Sequence, residues 1–243
     1  MIPCYNEANR LRRDAFSRFA SEHADVRFLF VDDGSNDATS ARLSELATSS
    51  PEAFAVLSQP TNQGKAEAVR RGINQAFDDS HTYVGYWDAD LATPLDEIPR
   101  FVETLDERPS LEALFGSRVQ LLGRTIERRA SRHYLGRISA TAISLTLGLA
   151  VYDTQCGAKL FRASPECKAL FAEPFLTRWL FDVEILARMI EAQRGTDRPG
   201  PAAAVHEIPL REWRDVEGSK VKALDFFRCM SELVRIHRQH LRG

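Results

Sequence analysis

The sequence predicts an α/β fold: a mostly parallel central sheet flanked by helices, with a C-terminal amphipathic helix. Three observations predict it. Apolar strand-like runs alternate with amphipathic stretches through residue 118, the pattern of parallel strands joined by crossover helices. Acidic residues gather where those runs end. The 243 residues, 44% hydrophobic and 27% charged, suit one domain with a sizeable core. The chain is therefore expected to be a single domain over 1–243, divided into 1–118, 119–221 and a basic tail, 222–243.

Met1-Ile2-Pro3 reads as the end of a strand whose start is trimmed or lies upstream, too short to be central alone. Alternating charged and apolar positions predict a helix over 7–22. "VRFLFVDDGS" (26–35) is a continuous apolar run closing on a turn, hence a buried strand. Residues 35–47 read as a helix capped by Ser35 or Asn36. A strand follows at 53–59. In the next helix, 64–77, Ala66, Val69, Ile73 and Phe77 share one face. "TYVGYW" (82–87) is a strand ending at the pair Asp88 and Asp90. Residues 95–106 read as a helix despite Pro99, and 111–118 as a strand. Beyond 118 the expected elements are a long helix over 127–150, a strand at 157–163, a helix at 179–192, a strand at 204–210 and a tail helix over 222–242. Residues 193–203 form the most linker-like loop.

A formal net charge of −2 gives no basic excess for nucleic acid. Cys4, Cys156, Cys167 and Cys229 have no metal-ligand spacing, and no secretory signal is present, so reduced thiols in a cytoplasmic protein are expected. No run reaches the roughly 20 apolar residues of a membrane span. The tail carries Arg228, Arg235, Arg238 and Arg242 around Phe226, Phe227, Met230, Leu233 and Val234. Such a helix suits an anionic membrane surface. It equally suits docking on the sheet, and both can hold. Residues 138–152 are a second candidate membrane contact.

In an open parallel sheet, ligands bind outside the carboxyl ends of the strands. Glu7, Asp32, Asp33, Asp88 and Asp90 all fall there. So much negative charge repels itself unless a cation joins it. Hard divalent ions take carboxylate oxygens and bridge to phosphates, so Asp88 and Asp90 read as a metal grip for a diphosphate. There is no G-x-G-x-x-G and no Walker loop. A nucleotidyltransferase would want a Gly-rich basic loop after the first strand, which "CYNEANR" (4–10) is not. Arg118, Arg124, Arg128, Arg129, Arg132 and Arg137 face only Glu127 in 118–137; an acceptor-phosphate site and a solvated helix face are both open. Trp87, Trp179 and Trp213 read as core or pocket walls, and Cys156 as a structural thiol.

The motifs "IPCYNE" (2–7), "VDDGSND" (31–37), "NQGKAEAVRRGI" (62–73), "DADLATP" (88–94) and "GSR" (116–118) resemble the inverting family 2 glycosyltransferases, which have a Rossmann-like GT-A fold. "DTQCGAKLF" (153–161), "RWLFDVEIL" (178–186) and "EGSK" (217–220) resemble its polyprenyl (dolichyl) phosphate β-glucosyltransferase branch.

The resemblance implies a nucleotide-binding half at 1–118 and an acceptor-binding half at 119–221. It implies that Pro3, Tyr5 and Glu7 line the nucleoside pocket, that Asp33 faces the base, and that Lys65 and Ala89 belong to the nucleotide-sugar site. Asp88 contacts the nucleotide, and Asp88 and Asp90 hold Mg²⁺ or Mn²⁺. Arg118 neutralises the donor diphosphate. Arg128 and Arg132, one helical turn apart, hold the acceptor phosphate. Arg214 and Lys220 close over the donor. Ala92 stands where a mannosyl branch carries Gln, which argues against a mannosyl donor.

The implied donor is a UDP- or GDP-hexose, with UDP-glucose favoured. The implied acceptor is polyprenyl phosphate, reached by peripheral attachment at the inner face of the membrane. A phosphate monoester is largely dianionic at pH 7, its second pKa being about 6, and needs no strong base. A soluble hydroxyl acceptor is the alternative. It would need a base from Asp182 or Glu184, read as sharing one face of their helix; these two equally suit capping or ion pairing within the fold. A catalytically dead nucleotide-sugar binding module is a third reading, opposed by intact Glu7, Asp33, Asp88, Asp90 and Arg118.

Overall fold

In the computed structural model, residues 1–127, 130–214 and 223–242 are described, without the side chains of 127, 130–135 and 223–227. The first half alternates as expected. It runs β1 (Ile2–Cys4), α1 (Arg13–Glu22), β2 (Phe28–Asp32), α2 (Thr39–Ser49), β3 (Phe54–Ser58), α3 (Lys65–Asp78), β4 (Tyr83–Trp87), α4 (Ile98–Glu107) and β5 (Ala113–Ser117). The second half holds β6 (Thr125–Glu127), α5 (Ala130–Leu147), β7 (Ala158–Arg162), α6 (Pro165–Ala169), α7 (Phe181–Gln193), α8 (Pro201–Ala204), β8 (Val205–Pro209), β9 (Glu212–Arg214) and α9 (Ala223–Ile236).

Strands β1, β2 and β3 pair in parallel, with β2 in the middle. A second group runs β4-β7-β5-β8. Met1 joins the two groups: its nitrogen donates to the Gly85 carbonyl at 2.6 Å, and its carbonyl accepts the Trp87 N–H at 3.0 Å. The short first strand is therefore central, between β2 and β4. The sheet is less parallel than the alternation suggests, since β7 runs antiparallel to both β4 and β5.

Strand β2, in the middle of its group, is buried at every position and apolar up to Asp32, as a parallel strand covered on both faces is, whereas β3 at the edge is only partly buried. Phe28 and Phe30 of β2 meet Phe16 of α1 edge-on, with ring centroids 5.3 and 5.0 Å apart, and Phe54 of β3 lies beyond. Pro99 falls in the first turn of α4, after a 3₁₀ turn at Leu95–Glu97. There its missing N–H costs nothing.

The expected helix over 7–22 starts only at Arg13. Residues 7–12 form a turn in which the Glu7 carbonyl accepts the N–H groups of Arg10 and Leu11. Helix α2 starts at Thr39 without Ser35 or Asn36 as cap. Instead Ser35 Oγ accepts from the Asn6 N–H at 3.0 Å, and the Asn36 N–H donates to Asn6 Oδ1 at 2.9 Å. Those polar residues tie the first two strand-end loops together. The tail docks: Leu233 and Ile236 of α9 are buried, and a π-helical turn, His237–Leu241, follows.

Candidate functional site

The site lies along the carboxyl ends of β1, β2, β4 and β5. After β4 the chain turns sharply. The Leu91 N–H bonds the Asp88 carbonyl at 3.2 Å, and Leu91 takes a left-handed φ of 51°. A bulky residue pays a steric penalty there, and such strain gathers at functional turns. The turn leaves Asp88 and Asp90 partly exposed, while Ala89 between them is buried.

Lys65, the first residue of α3, places its ammonium 2.5 Å from Asp88 Oδ1. Burial works against the Lys65 charge, but Asp88, Asp182 and Asp90 outweigh it and raise its pKa. Asp90 accepts the Ala92 N–H at 3.1 Å. Burial first, and the charge of Asp88 second, raise its carboxyl above the ordinary value, against pulls from Arg10 and Lys65. Two crowded carboxylates, one reluctant to ionise, form a place where a divalent cation would be favoured. No group of three or more potential ligands occurs among the described residues. Two carboxylates suit Mg²⁺, which commonly takes one or two from the protein and the rest from water and phosphate.

Gly157 leaves room for the Asp88 carboxylate. The Asp88 N–H donates to its carbonyl at 2.9 Å, and a Cβ there would stand 1.8 Å from Asp88 Oδ2. Arg118, just past β5, binds Asp153 through Nε and Nη2, both at 2.6 Å, and its backbone N–H adds a third bond at 3.0 Å. Its guanidinium lies over Trp213, 5.4 Å from the ring centroid. Burial opposes its charge, but Asp153, and more weakly Asp88, raise its pKa further. Asp153 is itself anchored: the N–H groups of Tyr152 and Asp153 both donate to Glu207 at 2.7 Å. Cys156 beneath is buried and its thiol is pushed up to about 11, which suits an inert thiol.

At the other strand ends, Asp33 accepts the N–H groups of Gln63 and Gly64 at 2.7 and 2.8 Å. Burial raises its pKa against those bonds and Arg178. Glu7 pairs with Arg10 at 2.5 Å. Pro3 lies in β1 opposite Val31, and Tyr5 follows the strand, half-buried. The Arg214 N–H donates to the Ala92 carbonyl at 3.1 Å, which ties β9 to the 88–92 turn and leaves the Arg214 side chain exposed.

The structure thus gathers Lys65, Asp88, Ala89, Asp90 and Arg118, with Glu7, Asp33 and Arg214 on the same edge. Arg128 and Lys220 lie outside the described residues, and so does the side chain of Arg132. Asp182 and Glu184 share no face of α7, and Asp182 lies behind the edge, near enough to Lys65 to help raise its pKa. Asp182 is buried, accepting from Lys159 Nζ at 2.6 Å and from the Tyr86 hydroxyl. Glu184 is buried too, taking the N–H groups of Leu176 and Thr177, the Thr177 hydroxyl and Arg188. Residues two apart on a helix point in nearly opposite directions, and both carboxylates serve ion pairs within the fold. Sequence reasoning missed Arg10, Asp153, Gly157, Lys159 and Glu207. Lys159, charged inside an apolar strand, carried a signal of a buried partner.

The model of glycosyl transferase family 2 matches residues 1–167. The chain belongs to this family. It is a glycosyltransferase, and its sequence groups with the dolichyl-phosphate β-glucosyltransferase branch. A dolichyl-phosphate beta-glucosyltransferase of Trichomonas vaginalis is 30% identical, over 97% of this chain and 71% of that protein. The Saccharomyces cerevisiae dolichyl-phosphate beta-glucosyltransferase is 28% identical, over 100% of this chain and 75% of that one. The fold matches crystal structures of glucosyl-3-phosphoglycerate synthase from Mycobacterium tuberculosis. The complex with UDP gives a TM-score of 0.62 at 19% identity over 98% of this chain and 78% of that one. The complex with Mn²⁺, UDP-glucose and phosphoglyceric acid gives 0.61 at 19% identity over the same shares. The family 2 chain therefore has the GT-A fold.

Proposed function

We propose that this glycosyltransferase moves glucose from UDP-glucose to dolichyl phosphate or a related polyprenyl phosphate, inverting the anomeric carbon. The observation that carries the reading is the alternation of charge along one sheet edge: Asp88 and Asp90 flanked by Lys65 at 2.5 Å and by the Asp153-held Arg118. That alternation suits a metal-bridged diphosphate with cations on either side. The names of the relatives support the sugar and the acceptor. Neighbours of the same fold were crystallised with UDP-glucose and Mn²⁺ or with UDP and Mg²⁺, which supports the donor and the metal.

Asp88 and Asp90 would hold Mg²⁺ or Mn²⁺, which would act as a Lewis acid on the leaving diphosphate. Lys65 then exchanges its bond to Asp88 for a phosphate oxygen. Arg118, fixed in orientation by Asp153, stabilises the negative charge that the leaving diphosphate gains as its bond to the sugar breaks. The acceptor phosphate attacks from the opposite face and needs no protein base, which fits the internal roles of Asp182 and Glu184. We assign donor binding to 1–118 and acceptor binding to 119–221, with Arg128, Arg132 and Lys220 kept as proposed contacts.

No helix among the described residues is long and apolar enough to cross a membrane. Exposed Ile138 and Leu145 on α5 and Val234 on α9, with Arg235 and Arg238 beside the last, support peripheral attachment at the cytoplasmic face. The test is transfer of labelled glucose from UDP-glucose into the organic phase, using polyprenyl phosphate in anionic vesicles. Transfer that requires Mg²⁺ or Mn²⁺ is expected. No lipid product with either ion would overturn the assignment.

A further inference from the structure

The motif "RWLFDVEIL" (178–186) holds an arginine that the scheme above leaves unused. Arg178 lies in the turn before α7, with an exposed side chain. Its guanidinium reaches back to the donor edge. Nη2 donates to the Gln63 carbonyl at 3.3 Å. The group passes 3.0–3.5 Å from where a Cβ on Gly64 would stand, so the glycine gives it room. The N–H groups of the same two residues, Gln63 and Gly64, bind Asp33. Arg178 and Asp33 thus flank one turn, a fork of N–H donors beside an acceptor-only carboxylate, next to Lys65 at the start of α3.

The backbone of this turn is held from a distant part of the chain. Glu232 of α9 accepts the N–H groups of Arg178 at 3.2 Å, Trp179 at 3.1 Å and Leu180 at 2.9 Å. Leu180 is the N-cap of α7, so the carboxylate also meets the positive end of that helix. Three consecutive N–H groups on one carboxylate fix where Arg178 begins.

We propose that Arg178 contacts the donor nucleotide beside Asp33, and that Glu232, acting through the 178–180 backbone, is its positioning residue. A guanidinium fork suits the oxygens of a nucleoside diphosphate. The inference rests on the proposed donor and deepens it: the C-terminal helix, the segment suited to a membrane surface, is wired to the nucleotide edge.

The experiment titrates UDP with Mn²⁺ into the full chain by calorimetry, without acceptor, and follows kinetics in parallel. Arg178→Ala is expected to raise the UDP dissociation constant about tenfold, the scale of one charged hydrogen bond. Arg178→Lys recovers part. Glu232→Gln raises it by roughly threefold, and the double variant is no worse than Arg178→Ala alone, because the two act in series. The acceptor KM stays unchanged, which a general loss of structure would not give. Wild-type affinity in Arg178→Ala overturns the contact. Multiplying effects in the double variant overturn the positioning role. Failure of the wild type to bind UDP overturns the proposed donor, and with it this inference.

Discussion

Two carboxylate pairs in this chain share one spacing and meet opposite fates. Asp88 and Asp90 end a strand and open onto the donor edge, where Lys65 is the cation that meets Asp88. Asp182 and Glu184 open a helix, are 4% and 0% exposed, and are each closed by an internal cation, Lys159 and Arg188. The pair in the turn keeps its charges adjacent, so burial and mutual repulsion raise the pKa of Asp90 and leave the pair in need of a cation. The pair in the helix splits its charges to two sides and needs nothing further. Chemistry at this site follows from backbone geometry more than from the identity of the acids.

The comparison breaks most visibly at the internal pair. Lys159→Met would strand the Asp182 carboxylate among apolar groups, and breaking a buried pair costs about 3–5 kcal/mol. For a chain of this size that is a drop in Tm of roughly 10 °C, read by calorimetry. Adding Asp182→Leu should restore part of it, less the cost of the unbonded Tyr86 hydroxyl. At the donor edge the cost appears in rate instead. Asp90→Asn should lower kcat by about 100-fold or more, the scale of one lost electrostatic contact in the transition state, while the fold survives. Equal losses of Tm in the two variants would erase the distinction between the regions.

Much of this was legible in the sequence because it rests on local rules. Long apolar runs announced β2, β4 and β5, and the acidic strand ends announced the edge. The rest depends on distant partners. Nothing local shows that Lys159 reaches Asp182, that Glu207 holds the loop carrying Asp153, or that Ser35 and Asn36 bond Asn6 instead of capping α2. The antiparallel run of β7 escaped for the same reason, since a strand's direction is set by what it pairs with. Asp182 and Glu184 stayed open between a base and internal ion pairs because acids near a pocket motif look alike until burial is known.

A smaller effect sharpens the contrast at its junction. Gly157 is the point where the 153–157 loop touches the exposed pair, and Gly157→Ala would drive a methyl into the Asp88 carboxylate. The end of a side chain can swing away, so the cost in stability is modest. The swing moves Asp88 from Lys65, however, and a displacement of about 1 Å can cost on the order of 100-fold in rate. A fall in kcat/KM of about 10–100-fold is expected, with Tm nearly unchanged. A large loss of Tm at full activity would assign Gly157 to packing alone.

The smallest effect is a pH signature of Asp90. Its folded-state pKa is raised above 3.8, chiefly by burial and then by Asp88, so the folded state holds its proton more tightly than the unfolded chain. Folding is then favoured when Asp90 is protonated and penalised when it is charged. The penalty is absent below the unfolded value and grows as pH rises through the folded one. Asp90→Asn removes it. The variant should therefore melt slightly higher than wild type at pH 7, by no more than about 2 °C, and the advantage should shrink as pH falls toward the ordinary carboxylate range. Mg²⁺ should raise the wild-type Tm and leave the variant's nearly unmoved, since an ion that binds only the folded state stabilises it. A variant that melts lower than wild type at pH 7 would mean that Asp90 is held by partners, as Asp182 is, and the two pairs would no longer differ in kind.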